Sequence, residues 1–267
     1  MIVFPNAKIN LGLFITEKRT DGFHNLESLF LPIPLCDILE VTVTTEDTSL
    51  VCTGLSYDIP TEKNIVFKAW KLLYEAHGIG HVKISLHKII PSGAGMGGGS
   101  SNGSFMLKVL NELFHLKLSI VQLEDYAAQL GSDCPFFIQN KSALVSGRGE
   151  VVVPVEFNLE GKFLVIVNPG IHISTPKAFN GIKPQASLFK WKAFIESKDF
   201  EMFELRNDFE QSVFKLYPKI EEIKNKLLNA GAMYASMSGT GSTVYAFFNE
   251  EPQIKWSENY FSRTFLL

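Results

Sequence analysis

Residues 91 to 104 read PSGAGMGGGSSNGS, and no other stretch constrains the fold as tightly. Six of its fourteen positions are glycine and four are serine. A backbone so bare of side chains can approach a ligand closely, and where a helix begins after it the first amides point at an anion. Phosphate is the expected occupant. A flexible linker has a similar composition, but this stretch is flanked on both sides by patterned apolar segments rather than by further polar sequence.

Before the loop the chain is mostly strand-like. AKINLGLFI, ESLFLPIPL, DILEVTVTT and HVKISLH are short, apolar or β-branched, and separated by turn residues such as Asp21 and Gly22. One helix interrupts them: Asn64 is placed to cap IVFKAWKLLYEAHG, with Ile65, Ala69, Leu72, Leu73 and Ala76 on one face. After the loop come two helices with no strand between, SSNGSFMLKVLNELF and then IVQLEDYAAQLG, which starts at Ser119 and stops at Gly131. The second half opens near residue 157 with the strand FLVIVNPG and a loop, GIHISTPKAF. Helical patterns dominate residues 186 to 230, clearest in PKIEEIKNKLLNAG with Pro218 in its first turn. Two strands, AMYASMSG and STVYAFF, follow with GTG at their junction. Strands and helices in runs, without strict alternation, define an α+β chain.

At 267 residues, two lobes are favoured over one large domain. Apolar residues make up 46% and charged ones 20%, which supports a proper core. With a net charge of −3 there is no broad basic field for a nucleic-acid backbone, so phosphate recognition must be local. Cys36, Cys52 and Cys134 fit neither a disulfide framework nor a zinc knuckle. His77 and His81 are four apart, but Gly78 and Gly80 between them argue against a helical metal pair, and no protein metal site is expected. MIVFPNAKIN lacks the pattern of an export leader, and no run approaches eighteen apolar residues. The expectation is a cytoplasmic protein with no membrane or nucleic-acid partner.

Three phosphate-binding devices compete for the glycine loop. GAGMGG at 93 to 98 satisfies the dinucleotide fingerprint, but a helix follows where that fold needs a strand. GAGMGGGS at 93 to 100 approaches the P-loop pattern with Gly99 in place of its lysine. The third device fits best. PSGAGMGGGSSNGS resembles the second signature of the GHMP kinases, small-molecule kinases named for galactose, homoserine, mevalonate and phosphomevalonate; AKINLGLFI at 7 to 15 is similar to their first motif and SMSGTGSTVYAFF at 236 to 248 to their third. The resemblance implies two lobes. Residues 1–155 would form a mixed sheet-and-helix ATP-binding domain like ribosomal protein S5 domain 2, residues 156–267 a C-terminal α/β sandwich, with the active site in the cleft between them. RTDGFHNLESLF and GSDCPFF narrow it to the branch whose acceptor is a cytidine diphosphate ester of methylerythritol, phosphorylated by ATP at its 2-hydroxyl. ATP implies Mg2+, with no protein ligand visible, and the assembly is expected to be a monomer or homodimer. Kinases of homoserine, mevalonate or a sugar, and a nucleotide-binding regulator without activity, are the alternatives.

Site residues follow from the same resemblance. Pro91, Ser92, Gly93, Ala94, Gly95, Met96, Gly97, Gly98, Gly99, Ser100 and Ser101 hold the triphosphate. Lys88 either lends charge to that loop or is a solvated strand-end lysine. Asn64, Ile65 and Val66 flank the adenine, although an N-cap and two core positions explain them equally well. Asp133 and Lys8 take the catalytic roles: the carboxylate orients and deprotonates the hydroxyl, and the ammonium keeps it ionised and polarises the acceptor. Phe23 and Phe179 stack on the two faces of cytosine, with His24 and Asn10 supplying polar contacts. A tyrosine is usual at position 23, so one hydrogen bond is in question there.

Overall fold

A computed structural model of the chain describes residues 1–55 and 59–267. Its first half runs through β1 (Ile2–Val3), β2 (Asn6–Lys18), β3 (His24–Cys36), β4 (Ile38–Thr44), β5 (Ser49–Gly54), α1 (Ile65–His77) and β6 (His81–Lys88). Then come α2 (Gly98–Leu113), α3 (Ile120–Leu130), α4 (Cys134–Gln139), β7 (Ala143–Ser146) and β8 (Val151–Pro154). The remainder is β9 (Phe163–Asn168), α5 (Thr175–Phe179), α6 (Trp191–Ser197), α7 (Glu210–Leu216), α8 (Pro218–Asn229), β10 (Tyr234–Met237), β11 (Val244–Phe248) and β12 (Phe261–Leu266).

Two compact units form from interleaved segments. The first takes residues 1–7, 34–92 and 97–141; the second takes 8–33, 93–96 and 142–267. In the first unit the sheet order is β1-β4-β6-β5, with β5 parallel to β6 and the other pairs antiparallel. Strand β6 alternates strictly, burying Val82, Ile84, Leu86 and Lys88 on one face. Against Val82, Ile84 and Leu86 pack Val66, Ala69, Trp70 and Leu73 of α1 and Met106, Leu107 and Leu110 of α2. The buried face of α1 is therefore rotated one position from the expected one, because Trp70 and Val66 turn inward while Ala76 faces solvent. Its caps are as expected: the Asn64 side chain accepts from Val66 N at 3.1 Å, and Gly78 ends the helix at φ 63°.

The second unit holds two sheets, β2-β3-β7-β8 and β10-β11-β9-β12. Helix α8 starts at Pro218 and buries Ile220, Ile223 and Leu227, a spacing that sets one apolar stripe in a core with Val165, Val167, Val244 and Ala246. Sequence patterning missed β1, β5, β7, β8, β12 and α4, and the expected loop GIHISTPKAF contains α5. Residues 186 to 230 are less helical than expected: between α6 and α7 the chain is loop and turn, and Asn207 bridges to Leu13 of β2.

Candidate active site

The expected site residues fall on both units. In the second unit, Gly93 to Met96 lie against the turn between β10 and β11. Ser238 Oγ donates to Gly95 O at 2.8 Å, and Thr243 N donates to Ala94 O at 3.3 Å. A methyl group on Gly95 would sit 1.9 Å from the Ser238 carbonyl oxygen, and the residue's φ is 77°, so only glycine fits here. The third motif is thus the bed on which the front of the glycine loop lies.

The rear of the loop belongs to the first unit. Gly97, at φ 67°, caps α2 without any side-chain hydrogen bond. Glycine at the cap leaves the first turn of α2 without a side-chain cap, and main-chain amides at a helix start are an arrangement that favours an anion. A side chain at Gly99 would meet open space, so the position is free of covering atoms. Ser101 is fully buried, and its hydroxyl finds no hydrogen-bond partner among the described residues. Pro91 is half-buried and Ser92 exposed at the loop's entry.

Lys88 is not a solvated strand-end lysine. It is 3% exposed and forms an ion pair with the fully buried Asp37. Lys88 Nζ also donates to Asn102 Oδ1 at 2.9 Å, and Asn102 Nδ2 donates to Asp37 Oδ2 at 2.9 Å. The other Asp37 oxygen accepts from the amides of Ile89 and Ile90 at 2.7 and 2.8 Å. Burial pulls the Lys88 ammonium below its usual range, and Asp37 opposes that pull. This knot ties the end of β6 to α2 and so anchors the loop between them. Asp37 opens the expected strand DILEVTVTT, and nothing in that pattern marked it as a partner for Lys88.

A second set missed by sequence reasoning lies at 207 to 210. Asn207 Nδ2 donates to Met237 O at 2.7 Å and Gly239 O at 2.8 Å. Glu210 accepts from Met237 N at 2.8 Å, Ser236 Oγ at 3.0 Å and Lys224 Nζ at 2.6 Å. Asp208 Oδ2 accepts from Ile15 N at 2.8 Å. Together they clamp β10 and the turn beneath Gly95, and tie that turn's support to β2.

Lys8 is 3% exposed and donates to Asn10 Oδ1 at 2.5 Å, while its ammonium stands 4.2 Å from the Phe30 ring centre. Asn10 Nδ2 donates to Ser28 Oγ at 3.2 Å, and Ser28 Oγ donates to Gly12 O at 2.5 Å. Tyr245 Oη donates to Asn10 O at 2.7 Å. Asn10 is therefore held on three sides, and it orients the lysine. In the first unit, Asp133 is half-buried at the residue preceding α4. Ser104 Oγ lies 2.7 Å from Cys134 O and 2.9 Å from Ser100 O, so the residue after Asp133 is bound to the first turn of α2.

The expected aromatic residues lie in the second unit. His24, not Phe23, stacks on Phe179, with ring centres 4.7 Å apart and planes 20° from parallel. Phe209 supports Phe179 edge-on at 4.8 Å. Phe23 is 55% exposed, with the Arg148 guanidinium 5.0 Å from its ring centre. Burial, and secondarily the Lys18 charge, lowers the His24 imidazole below its usual value, favouring the neutral ring. Of the adenine-flanking candidates, Asn64 is used as the α1 cap and Val66 is wholly buried in the core; Ile65 alone keeps partial exposure.

Two sequence profiles match the chain: the GHMP kinases N terminal domain over residues 64–141 and the GHMP kinases C terminal over residues 192–259. The chain belongs to the GHMP kinase family. Among its relatives is a 4-diphosphocytidyl-2-C-methyl-D-erythritol kinase of Bacteroides fragilis, 50% identical over 95% of this chain and 94% of its own. One of the same description from Bacteroides thetaiotaomicron is 48% identical, with 98% of both chains covered. A crystal structure of 4-(cytidine 5'-diphospho)-2C-methyl-D-erythritol kinase superposes with TM-score 0.79 at 31% identity, covering 92% of this chain and 89% of that one. A homoserine kinase from Cytophaga hutchinsonii shares the fold at TM-score 0.65 and 17% identity.

Proposed function

We infer that the chain transfers the γ-phosphoryl group of ATP to the 2-hydroxyl of 4-diphosphocytidyl-2-C-methyl-D-erythritol, releasing ADP and the 2-phosphate, in the non-mevalonate route to isoprenoid precursors. The observation that carries this is identity of 50% across 95% of the chain to a kinase of that description. The uncapped start of α2 supports it on physical grounds, since phosphoryl transfer is mostly positioning and charge compensation.

In this reading residues 91–101 cradle the triphosphate through main-chain amides. Asp133 receives the hydroxyl proton late in the transfer, and Lys8, aimed by Asn10, polarises the acceptor oxygen. His24 and Phe179 form an aromatic platform for cytosine, and Phe23 covers the base once it is bound. Mg2+ bound with ATP would offset phosphate charge, and the partnerless Ser101 hydroxyl and that of Ser100 are the protein oxygens that would hold it. Lys88 supports the loop instead of touching phosphate. The family boundary near residue 155, a cytoplasmic location, and a monomer or homodimer complete the proposal. Among the described residues no helix is long and apolar enough to cross a membrane.

The test offers the pure protein ATP with the cytidine diphosphate ester, mevalonate or homoserine and identifies the product by phosphorus NMR. Turnover of the ester alone is expected. Rapid phosphorylation of mevalonate or homoserine with none of the ester would overturn the substrate assignment.

A further inference from the structure

The second unit carries a cavity of about 650 Å³ that the reaction does not use. Lys183, Arg206 and Lys215 line it with Gln211, Ser212 and one acid, Asp208. That acid is already engaged, by Ile15 N at 2.8 Å and by Arg206 Nε at 2.8 Å. Lys183, Lys215 and Gln211 have no hydrogen-bond or ion-pair partner among the described residues, so two ammonium groups and an amide face the space unmatched. Three cations against one acid attract an anion, and a rigid guanidinium with two mobile ammonium groups suits phosphate oxygens.

Beside it is a second cavity of about 250 Å³, and Arg206 and Gln185 line both. Its other walls are Phe14, Leu188 and Phe189 together with Ala186, Ser187 and one carboxylate, Glu204, and Leu188 is 93% exposed. The Arg206 guanidinium lies 5.1 Å from the Phe14 ring centre, at the junction of the cationic chamber and one walled by aromatic and aliphatic side chains with a single acid. A ligand filling both would carry a charged head and a short hydrocarbon arm.

We propose that this double cavity binds a small phosphate or diphosphate monoester with an apolar arm, as an effector site separate from the catalytic residues. The wall it shares with the site gives it leverage. Ser212 Oγ donates to Ala178 O at 2.8 Å, next to Phe179, and Asp208 N donates to Leu13 O at 2.9 Å on β2. Occupancy therefore bears on the helix that carries the aromatic platform.

Titration calorimetry with enzyme saturated in ATP analogue and CDP, using pyrophosphate and butyl diphosphate as probes, tests the site away from nucleotide competition. Saturable binding is expected, with butyl diphosphate about tenfold tighter because burying each methylene adds severalfold in affinity. Lys183→Ala/Lys215→Ala is expected to weaken both probes at least tenfold while leaving basal kcat unchanged. Absence of binding at millimolar probe, or binding indifferent to the double substitution, would overturn the site; equal affinity for the two probes would overturn the apolar arm. Because the readout is binding, a wrong acceptor assignment leaves it unaffected.

Discussion

Asp133 sits where α3 has ended at Gly131 and α4 begins, a short turn fixed by Ser104 at the next residue. Such anchoring suits a group that must hold one oxygen against a substrate proton. Asp133→Asn is expected to lower kcat about 10²–10⁴-fold while leaving the dissociation constant for ATP within a few fold; equal loss of both in single-turnover and binding measurements would make the residue structural. His24 gives a pH prediction. Its folded imidazole is depressed by burial first and by Lys18 second, so the neutral ring persists below the usual titration range. A depressed base contributes fully above its ordinary value and loses that contribution as pH falls through the folded one. The KM for the cytidine ester is therefore expected to be flat through neutrality and to rise only in acid, and the His24 ring proton in NMR should titrate below free imidazole.

Among the elements, α7 and the strand turn it supports behave as one assembly. Glu210 satisfies a main-chain amide, a hydroxyl and an ammonium at once. Removing a buried carboxylate with such partners costs on the order of 2–3 kcal/mol. Glu210→Ala is expected to lower the thermal midpoint by several degrees and to raise the KM for ATP more than that for the acceptor, since Ser238 and Gly239 lie under the glycine loop. This clamp also marks the limit of what the chain reveals unaided. The cap at Asn64 and the helix start at Ser119 were legible because partner and signal lie within a few residues. The glycine loop was legible because its chemistry is main-chain. Asn207 and Glu210 were not: their partners are about thirty positions away, and a polar residue gives no sign of which distant amide it will meet. Likewise Asp37 and Lys88, 51 positions apart, look like ordinary charges until the fold brings them together. Phe23, His24 and Phe179 could all be named from the sequence, but not that the His24 ring would lie against Phe179.

At the scale of the molecule, the chain is interleaved. Leu13 and Ile15 of β2 are core residues of the second unit, bonded to Arg206, Asp208 and the bridge at Asn207. A fragment of residues 156–267 expressed alone lacks them, and is expected to melt without a cooperative transition; a sharp two-state melt by calorimetry would contradict the interleaving. The ion pair at the end of β6 has a consequence for behaviour in solution. An ammonium already matched to a buried carboxylate presents no field to a nucleotide, so the cradle's hold rests on fixed peptide dipoles at short range. Electrolyte screens distant charges over about 10 Å at 0.1 M but hardly weakens groups in direct contact. Raising potassium chloride severalfold should therefore leave ATP affinity nearly constant, unlike a polyphosphate grip built from surface lysines.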